Sequence, residues 1–204
     1  MLHRLLLLYI GLVLYGPAAA LLVRARLGLD PWNVLHQGIA DRAPISFGSV
    51  VILLSGVVLL IWIPLRQRPG LGTISNAIVV GLSMDVALAN FPDLNGWLPR
   101  IGSLFLGVVL IGVATAMYIG AGFGSGPRDG LMTGIAARTG WSLRSVRTGI
   151  ELSVVAAGWS LGGQLGLGTL LFAVSIGPLI QGMLPYFEAF GRVHPIEPVT
   201  APEV

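Results

Sequence analysis

The residues best suited to chemistry in this sequence lie in one segment, Phe123–Gly140, which is flanked by apolar runs. Within it, Pro127 is followed directly by Arg128 and Asp129, and proline is favoured at the first position of a helix. Free N–H groups at the start of a helix, together with the helix dipole, can hold an anionic group. Arg128 would add a fixed positive charge. The segment therefore predicts a binding site for a polar or anionic solute. The alternative is an amphipathic helix that lies at the membrane interface with its ends capped.

A second copy of this segment lies 96 positions earlier, over Leu27–Pro44. Pro31 takes the place of Pro127, and Asn33 takes the place of Asp129, so equivalent positions carry an amide and a carboxylate. Ser125 in one copy and Asp30 in the other stand where a side chain can cap the helix start. The residues that we interpret as the structural motif of the two copies are Gly28, Gly38, Arg42, Gly124, Gly134 and Arg138.

Two further charged features lie in apolar surroundings. Asp85 has no charged neighbour between Gly70 and Pro92, and an ionisable side chain inside a membrane helix is costly enough to indicate a function. The alternative is that Asp85 reaches headgroup water from the end of its helix. Glu151 follows Arg147 by four positions, the spacing of an ion pair on one helix face.

The substrate-binding hypothesis names Pro31, Asn33, Asp85, Pro127, Arg128 and Asp129.

The composition is that of an integral membrane protein. Of the 204 residues, 54% are hydrophobic and 10% are charged, and residues 152–187 contain no charge at all. About 20 apolar residues span a bilayer as a helix. The predicted spanning helices cover residues 5–24, 46–65, 72–90, 100–122, 143–161 and 167–187. The two Pro-led segments would rise only about 18 Å as helices, too little to cross a hydrocarbon core of about 30 Å. They must be interfacial or re-entrant.

The repeat extends well beyond the two Pro-led segments. Sliding the chain by 96 positions aligns residues 5–88 with residues 101–184 without a gap, and 27 of the 84 pairs are identical. Each copy holds three spans, an odd number, so the second copy must be inverted in the membrane, as in many transporters. The sequence thus predicts an all-α protein with a first membrane repeat over 1–96, a second over 97–188 and a disordered tail over 189–204.

The basic residues predict the orientation in the membrane. All 12 are arginines, and they lie between apolar runs without forming a basic domain, so we expect no nucleic-acid partner. With a cytoplasmic N-terminus, the inner loops hold eight arginines and the outer loops four, which favours both termini inside. The expected partners are the lipid bilayer and an unknown small solute, and the sequence leaves a homo-oligomer open.

Enzymatic functions have little support in the sequence. The only histidines are His3, His36 and His194, none of them placed as a base for Ser125 or spaced as a metal cluster. The chain has neither cysteine nor lysine, so it offers no thiolate nucleophile and no Walker-type phosphate loop. We expect no catalytic residues, no metal and no cofactor.

The run Gly124–Met132, with Gly134, Ile135 and Arg138, resembles the hallmark segment of the bacterial YczE/YyaS/YitT-type membrane proteins, most closely the YczE branch. The copy at Gly28–Arg42 is similar to their first-half version. The resemblance implies a multi-pass protein of the bacterial plasma membrane and supplies no substrate. Our hypothesis is a small-solute transporter. The alternatives are a channel and a non-transporting partner that supports an enzyme or sensor.

Overall fold

The chain folds into α-helices joined by short connections. The computed structural model describes residues 1–191, and these contain eight helices. In chain order they are α1 (Leu2–Ala25), α2 (Pro31–Ala40), α3 (Phe47–Leu65), α4 (Leu71–Asn90), α5 (Trp97–Gly120), α6 (Pro127–Thr139), α7 (Leu143–Ser160) and α8 (Leu167–Gly191). Five of them, α1, α3, α4, α5 and α8, are long and apolar enough to cross a membrane. The predicted all-helical membrane class is confirmed; the predicted C-terminal tail lies, from residue 192 onward, outside the described residues.

Four of the eight helix starts in residues 1–191 are fixed by local signals that are visible in the sequence. The short helices α2 and α6 begin at the predicted prolines. The Asp30 carboxylate accepts the Asn33 N–H at the start of α2, and Ser46 and Ser142 cap α3 and α7 in the same way. The starts of α2 and α6, of α3 and α7, and of α4 and α8 are each 96 positions apart.

The long helices α1 and α5 pack against each other in the centre of the fold. Gly11 of α1 lies against the Ala114 carbonyl, and Gly107 of α5 lies against the Ala18 carbonyl. Residue numbers rise along one helix as they fall along the other, so the two helices are antiparallel. Both contacts need a glycine, because an added Cβ would come within about 3 Å of the neighbouring carbonyl oxygen, at 2.9 and 2.8 Å respectively.

The short helices pack against the other half of the chain: α2 contacts α7, and α6 contacts α3. The two contacts are filled differently. The Trp62 ring of α3 covers Gly130 of α6, whereas Gly158 of α7 allows its backbone to approach that of Val34 and Leu35 in α2. Trp62 also donates its indole N–H to the Pro127 carbonyl at 3.0 Å. Each half therefore completes the packing of the other.

Extended segments lead from α1 and α5 into the short helices. Gly28 and Gly124 within them have φ values of 111° and 113°, a region that favours glycine. The Leu27 carbonyl accepts the Gly168 N–H at the start of α8, and the Phe123 carbonyl accepts the Gly72 N–H at the start of α4, both at 2.8 Å. The start of one long helix thus satisfies the exposed backbone of the opposite segment.

The two halves differ in how their last helices pack. Helices α3 and α4 are in close contact, since a Cβ on Gly48 would lie 2.0 Å from the Gly81 carbonyl oxygen. Asp85 of α4 fastens this contact by accepting the Gly48 N–H at 2.6 Å and the Ser46 hydroxyl. The equivalent helices α7 and α8 are not closely packed, and an apolar crevice lies between them.

We predict that Gly48→Val destabilises the protein by about 1–3 kcal/mol, because the added carbons must push α3 away from α4. Gly56→Val is the matched control on the same helix, since a Cβ there meets nothing within 4 Å. Thermal unfolding of the purified protein in one detergent would measure both variants. Equal melting temperatures for the two variants would contradict the tight α3–α4 contact.

Candidate functional site

The first turns of α2 and α6 meet at one cavity of about 100 Å³ in the protein interior. Because α1 and α5 are antiparallel, the segments that follow them start at opposite ends of the protein and run inward to this point. The cavity is lined by both copies of the repeat. Eight pairs of lining residues are related by the spacing of 96: Tyr15 and Ile111, Asp30 and Gly126, Pro31 and Pro127, Trp32 and Arg128, Val51 and Arg147, Ser55 and Glu151, Asn76 and Phe172, and Val80 and Ile176.

An ion pair joins the two halves at this cavity. The Arg128 Nη1 lies 3.6 Å from the Asp30 Oδ2, and its guanidinium stacks 5.1 Å from the centre of the Trp32 ring. Asp30 is only 2% exposed. Burial raises the pKa of its carboxyl, and the charge of Arg128 acts in the opposite direction. The Arg128 cation is therefore held by the Asp30 carboxylate and the face of the Trp32 ring.

Asp30 is held in place from behind by a buried polar network. Asn33 donates its side-chain amide to Asp30 Oδ1 and its backbone N–H to Oδ2. The Asn33 amide oxygen lies 2.8 Å from His36 Nδ1. Because that oxygen can only accept, the His36 proton is on Nδ1. The network fixes the direction in which Asp30 presents its carboxylate.

Asp129, at the start of α6, is the second carboxylate of the cavity. It accepts the Tyr118 hydroxyl at 3.1 Å. Burial raises the pKa of its carboxyl, and the hydrogen bond from Tyr118 acts in the opposite direction. Asp129 occupies the position equivalent to Asn33, yet Asp129 lines the cavity whereas Asn33 lies behind Asp30.

Arg147 and Glu151 form the predicted ion pair at 2.8 Å. Both side chains also line the cavity, a role that the sequence analysis did not assign to them. With Arg128, Asp30 and Asp129 they give it two cationic and three acidic side chains. The cavity thus offers partners for both signs of charge.

Four of the six residues in the substrate-binding hypothesis line the cavity: Pro31, Pro127, Arg128 and Asp129. Asn33 supports it from behind, and Asp85 is placed elsewhere, at the α3–α4 contact. The motif residues have packing roles. Arg138 donates to the Pro64 carbonyl at 2.6 Å, Arg42 donates to the Gly38 carbonyl at 3.3 Å, and Gly134 packs against Leu65 and Gln67.

The structure adds Tyr15, Trp32, Asn76 and Tyr118 to the candidate site. Some of them could have been found from the repeat, because the counterpart of a lining residue, 96 positions away, is often a lining residue itself. Trp32, for example, is the counterpart of Arg128. Tyr118 has no such signal, since its counterpart Leu22 does not line the cavity. Among residues 1–191, no group of three or more His, Asp or Glu side chains could hold a metal ion.

A bundle of apolar helices around a buried charged cavity is the architecture of a multi-pass integral membrane protein. The chain belongs to DUF6198, a family of unknown function, which matches residues 2–185. This membership and the relatives below confirm the resemblance to YczE- and YyaS-type proteins.

Three bacterial relatives share most of their length with this chain. An uncharacterised protein of Haemophilus influenzae is 41% identical over 177 residues, which cover 87% of this chain and 81% of the relative. The uncharacterised membrane protein YczE of Bacillus subtilis is 32% identical over 179 residues, covering 87% and 83%. The uncharacterised protein YyaS of Bacillus subtilis is 29% identical over 184 residues, covering 88% and 91%. No solved structure matches the chain.

We predict that Thr73→Val lowers the stability of the protein whereas Thr169→Val has little effect. The Thr73 hydroxyl donates to the Ser125 carbonyl at 2.7 Å, so its removal leaves that carbonyl unpaired at a cost of about 1–3 kcal/mol. The equivalent Thr169 hydroxyl has no hydrogen-bond partner among the described residues. Melting temperatures of the two variants would check this, and a larger loss for Thr169→Val would contradict it.

Proposed function

We propose that this protein is a non-enzymatic membrane carrier for a small polar or anionic solute, built from six spans in two inverted repeats. The observation that carries the proposal is the convergence of both Pro-led helix starts, with Arg128, on one interior cavity. Helix starts that meet between the ends of a bundle are typical of inverted-repeat carriers. They also favour re-entrant rather than interfacial short helices.

In this proposal α7 is the sixth span. Its 18 residues rise about 27 Å, enough for most of a hydrocarbon core. Its hydropathy is lowered by Arg144, Arg147 and Glu151, of which the last two pair with each other and line the cavity. Charges that face an interior site are the ones that membrane helices tolerate.

The hydrogen bonds of the cavity favour a solute that brings acceptors. Asp30 and Asp129 each already accept a hydrogen bond from the protein, and Glu151 is paired with Arg147. The Trp32 indole N–H, by contrast, has no acceptor among the described residues, although Trp32 is only 7% exposed. An anionic group placed beside Arg128 would supply that acceptor.

We propose that the carrier lies in the bacterial plasma membrane with both termini in the cytoplasm. The arginine bias of the loops supports this orientation. The α3–α4 turn, with Arg66 and Arg68, would then face the cytoplasm, and the α4–α5 connection around Asp93 would face outward.

We predict that Arg128→Gln and Asp129→Asn each lower solute flux about tenfold or more, since a charged hydrogen bond contributes about 1.5–3 kcal/mol. Proteoliposomes assayed with labelled small solutes, inorganic phosphate and amino acids included, would measure it. Arg68→Gln, at an exposed turn position, is the matched control. If the wild-type protein inserts normally and moves none of these solutes, the non-transporting partner becomes the better hypothesis.

We predict that single cysteines label from opposite sides of the membrane at Arg68 and Asn95, two exposed connection residues. The chain has no cysteine of its own, so each label reports one site. In whole cells, an impermeant maleimide should react with Asn95→Cys, and with Arg68→Cys only after permeabilisation. Reaction at both sites without permeabilisation would refute the proposed topology.

A further inference from the structure

An apolar crevice of about 670 Å³ lies between α7 and α8, next to the cavity. Pro31 and Glu151 line both spaces. The other walls of the crevice are mainly apolar: Leu152, Val155, Leu165, Leu167, Leu170 and Ala173. A charged cavity and a hydrocarbon-like space therefore lie side by side, with Pro31 and Glu151 as shared walls.

This opening is specific to one half of the molecule. At the equivalent place in the other half, Gly48, Gly81 and Asp85 hold α3 and α4 together. The leucine-rich walls of the crevice would not suit water, because water there would find no hydrogen-bond partners. A hydrocarbon chain makes no hydrogen bonds and would lose none in the crevice.

One buried donor without a partner belongs to a residue of the cavity wall. Trp32 lines the cavity, and its indole N–H has no acceptor among the described residues. Buried donors are normally paired, so this N–H points to a ligand that brings an oxygen acceptor. The Thr169 hydroxyl is also unpaired among these residues, but it packs against Gly28, since a Cβ on Gly28 would lie 2.8 Å from it.

We infer that the solute is a single-chain amphiphile whose small anionic headgroup binds at Arg128 and whose alkyl chain lies between α7 and α8. The inference rests on the proposed function and narrows its substrate class. The cavity of about 100 Å³ has room for a headgroup of the size of a phosphate or carboxylate. The chain leaves through the crevice toward the lipid.

Dodecyl phosphate with a diazirine near the end of its chain would test the inference on the full-length protein in phosphatidylcholine nanodiscs. We expect photolabelling of crevice residues such as Leu152 and Leu170. Unlabelled dodecyl phosphate should compete at concentrations about a hundredfold or more below those of inorganic phosphate, because the chain adds apolar burial. Arg128→Gln should lower the labelling about tenfold or more.

Matched variants separate the crevice from the lipid-facing surface. Ala173→Trp fills the crevice and should lower labelling, whereas Val174→Trp, at the neighbouring lipid-exposed position, should not. Labelling that neither Arg128→Gln nor Ala173→Trp reduces would show ordinary lipid in the crevice and overturn the inference. So would labels confined to the other apolar crevice, beside Leu54 and Gly149.

The outcomes also separate this inference from the proposed carrier. Binding or flux of inorganic phosphate that depends on Arg128, with no gain from an alkyl chain, would refute the amphiphile and leave the carrier standing. Loss of Arg128 dependence for every probe would refute both.

Discussion

The whole architecture depends on satisfying extended backbone in the interior of a membrane protein. Peptide groups without partners are costly in hydrocarbon, so a non-helical segment survives there only when protein covers it. Here the starts of α8 and α4 supply the N–H groups that the Leu27 and Phe123 carbonyls need. Because each donor comes from the opposite half, neither extended segment is satisfied within its own half. The cavity exists where it does because these two segments end there.

The charged side chains around the cavity are divided unequally between the two halves. The second half contributes Arg128, Asp129, Arg147 and Glu151, while the positions equivalent to them in the first half are Trp32, Asn33, Val51 and Ser55. The first half contributes the carboxylate of Asp30, the aromatic face of Trp32 and the hydrogen-bond network of Asn33 and His36 behind Asp30. The site is therefore divided between chemically different copies of one scaffold.

The sequence was informative where local rules decide the structure. Pro31 and Pro127 mark helix starts, and the structure places those starts as predicted. Ser46 and Ser142 cap the helices that follow, by a local rule that the sequence analysis did not apply. Side-chain direction was harder to predict, because it depends on which helices are neighbours. Asp85 looked like an isolated membrane charge, yet Gly48 and Ser46 provide its partners from another helix. Arg147 and Glu151 were predicted as a pair, but only the packing of α7 shows that they face the cavity.

The contacts around Trp62 and Gly158 bear on how such a duplicated chain can evolve. Their positions are equivalent, but an indole covers glycine in one contact and bare backbones touch in the other. Recombination that copied the first half's gene segment over the second would set a second tryptophan against Val34, where no room exists. Homogenisation in that direction is therefore sterically blocked, whereas copying in the other direction would replace Trp62 with glycine and leave its contact with Gly130 unfilled.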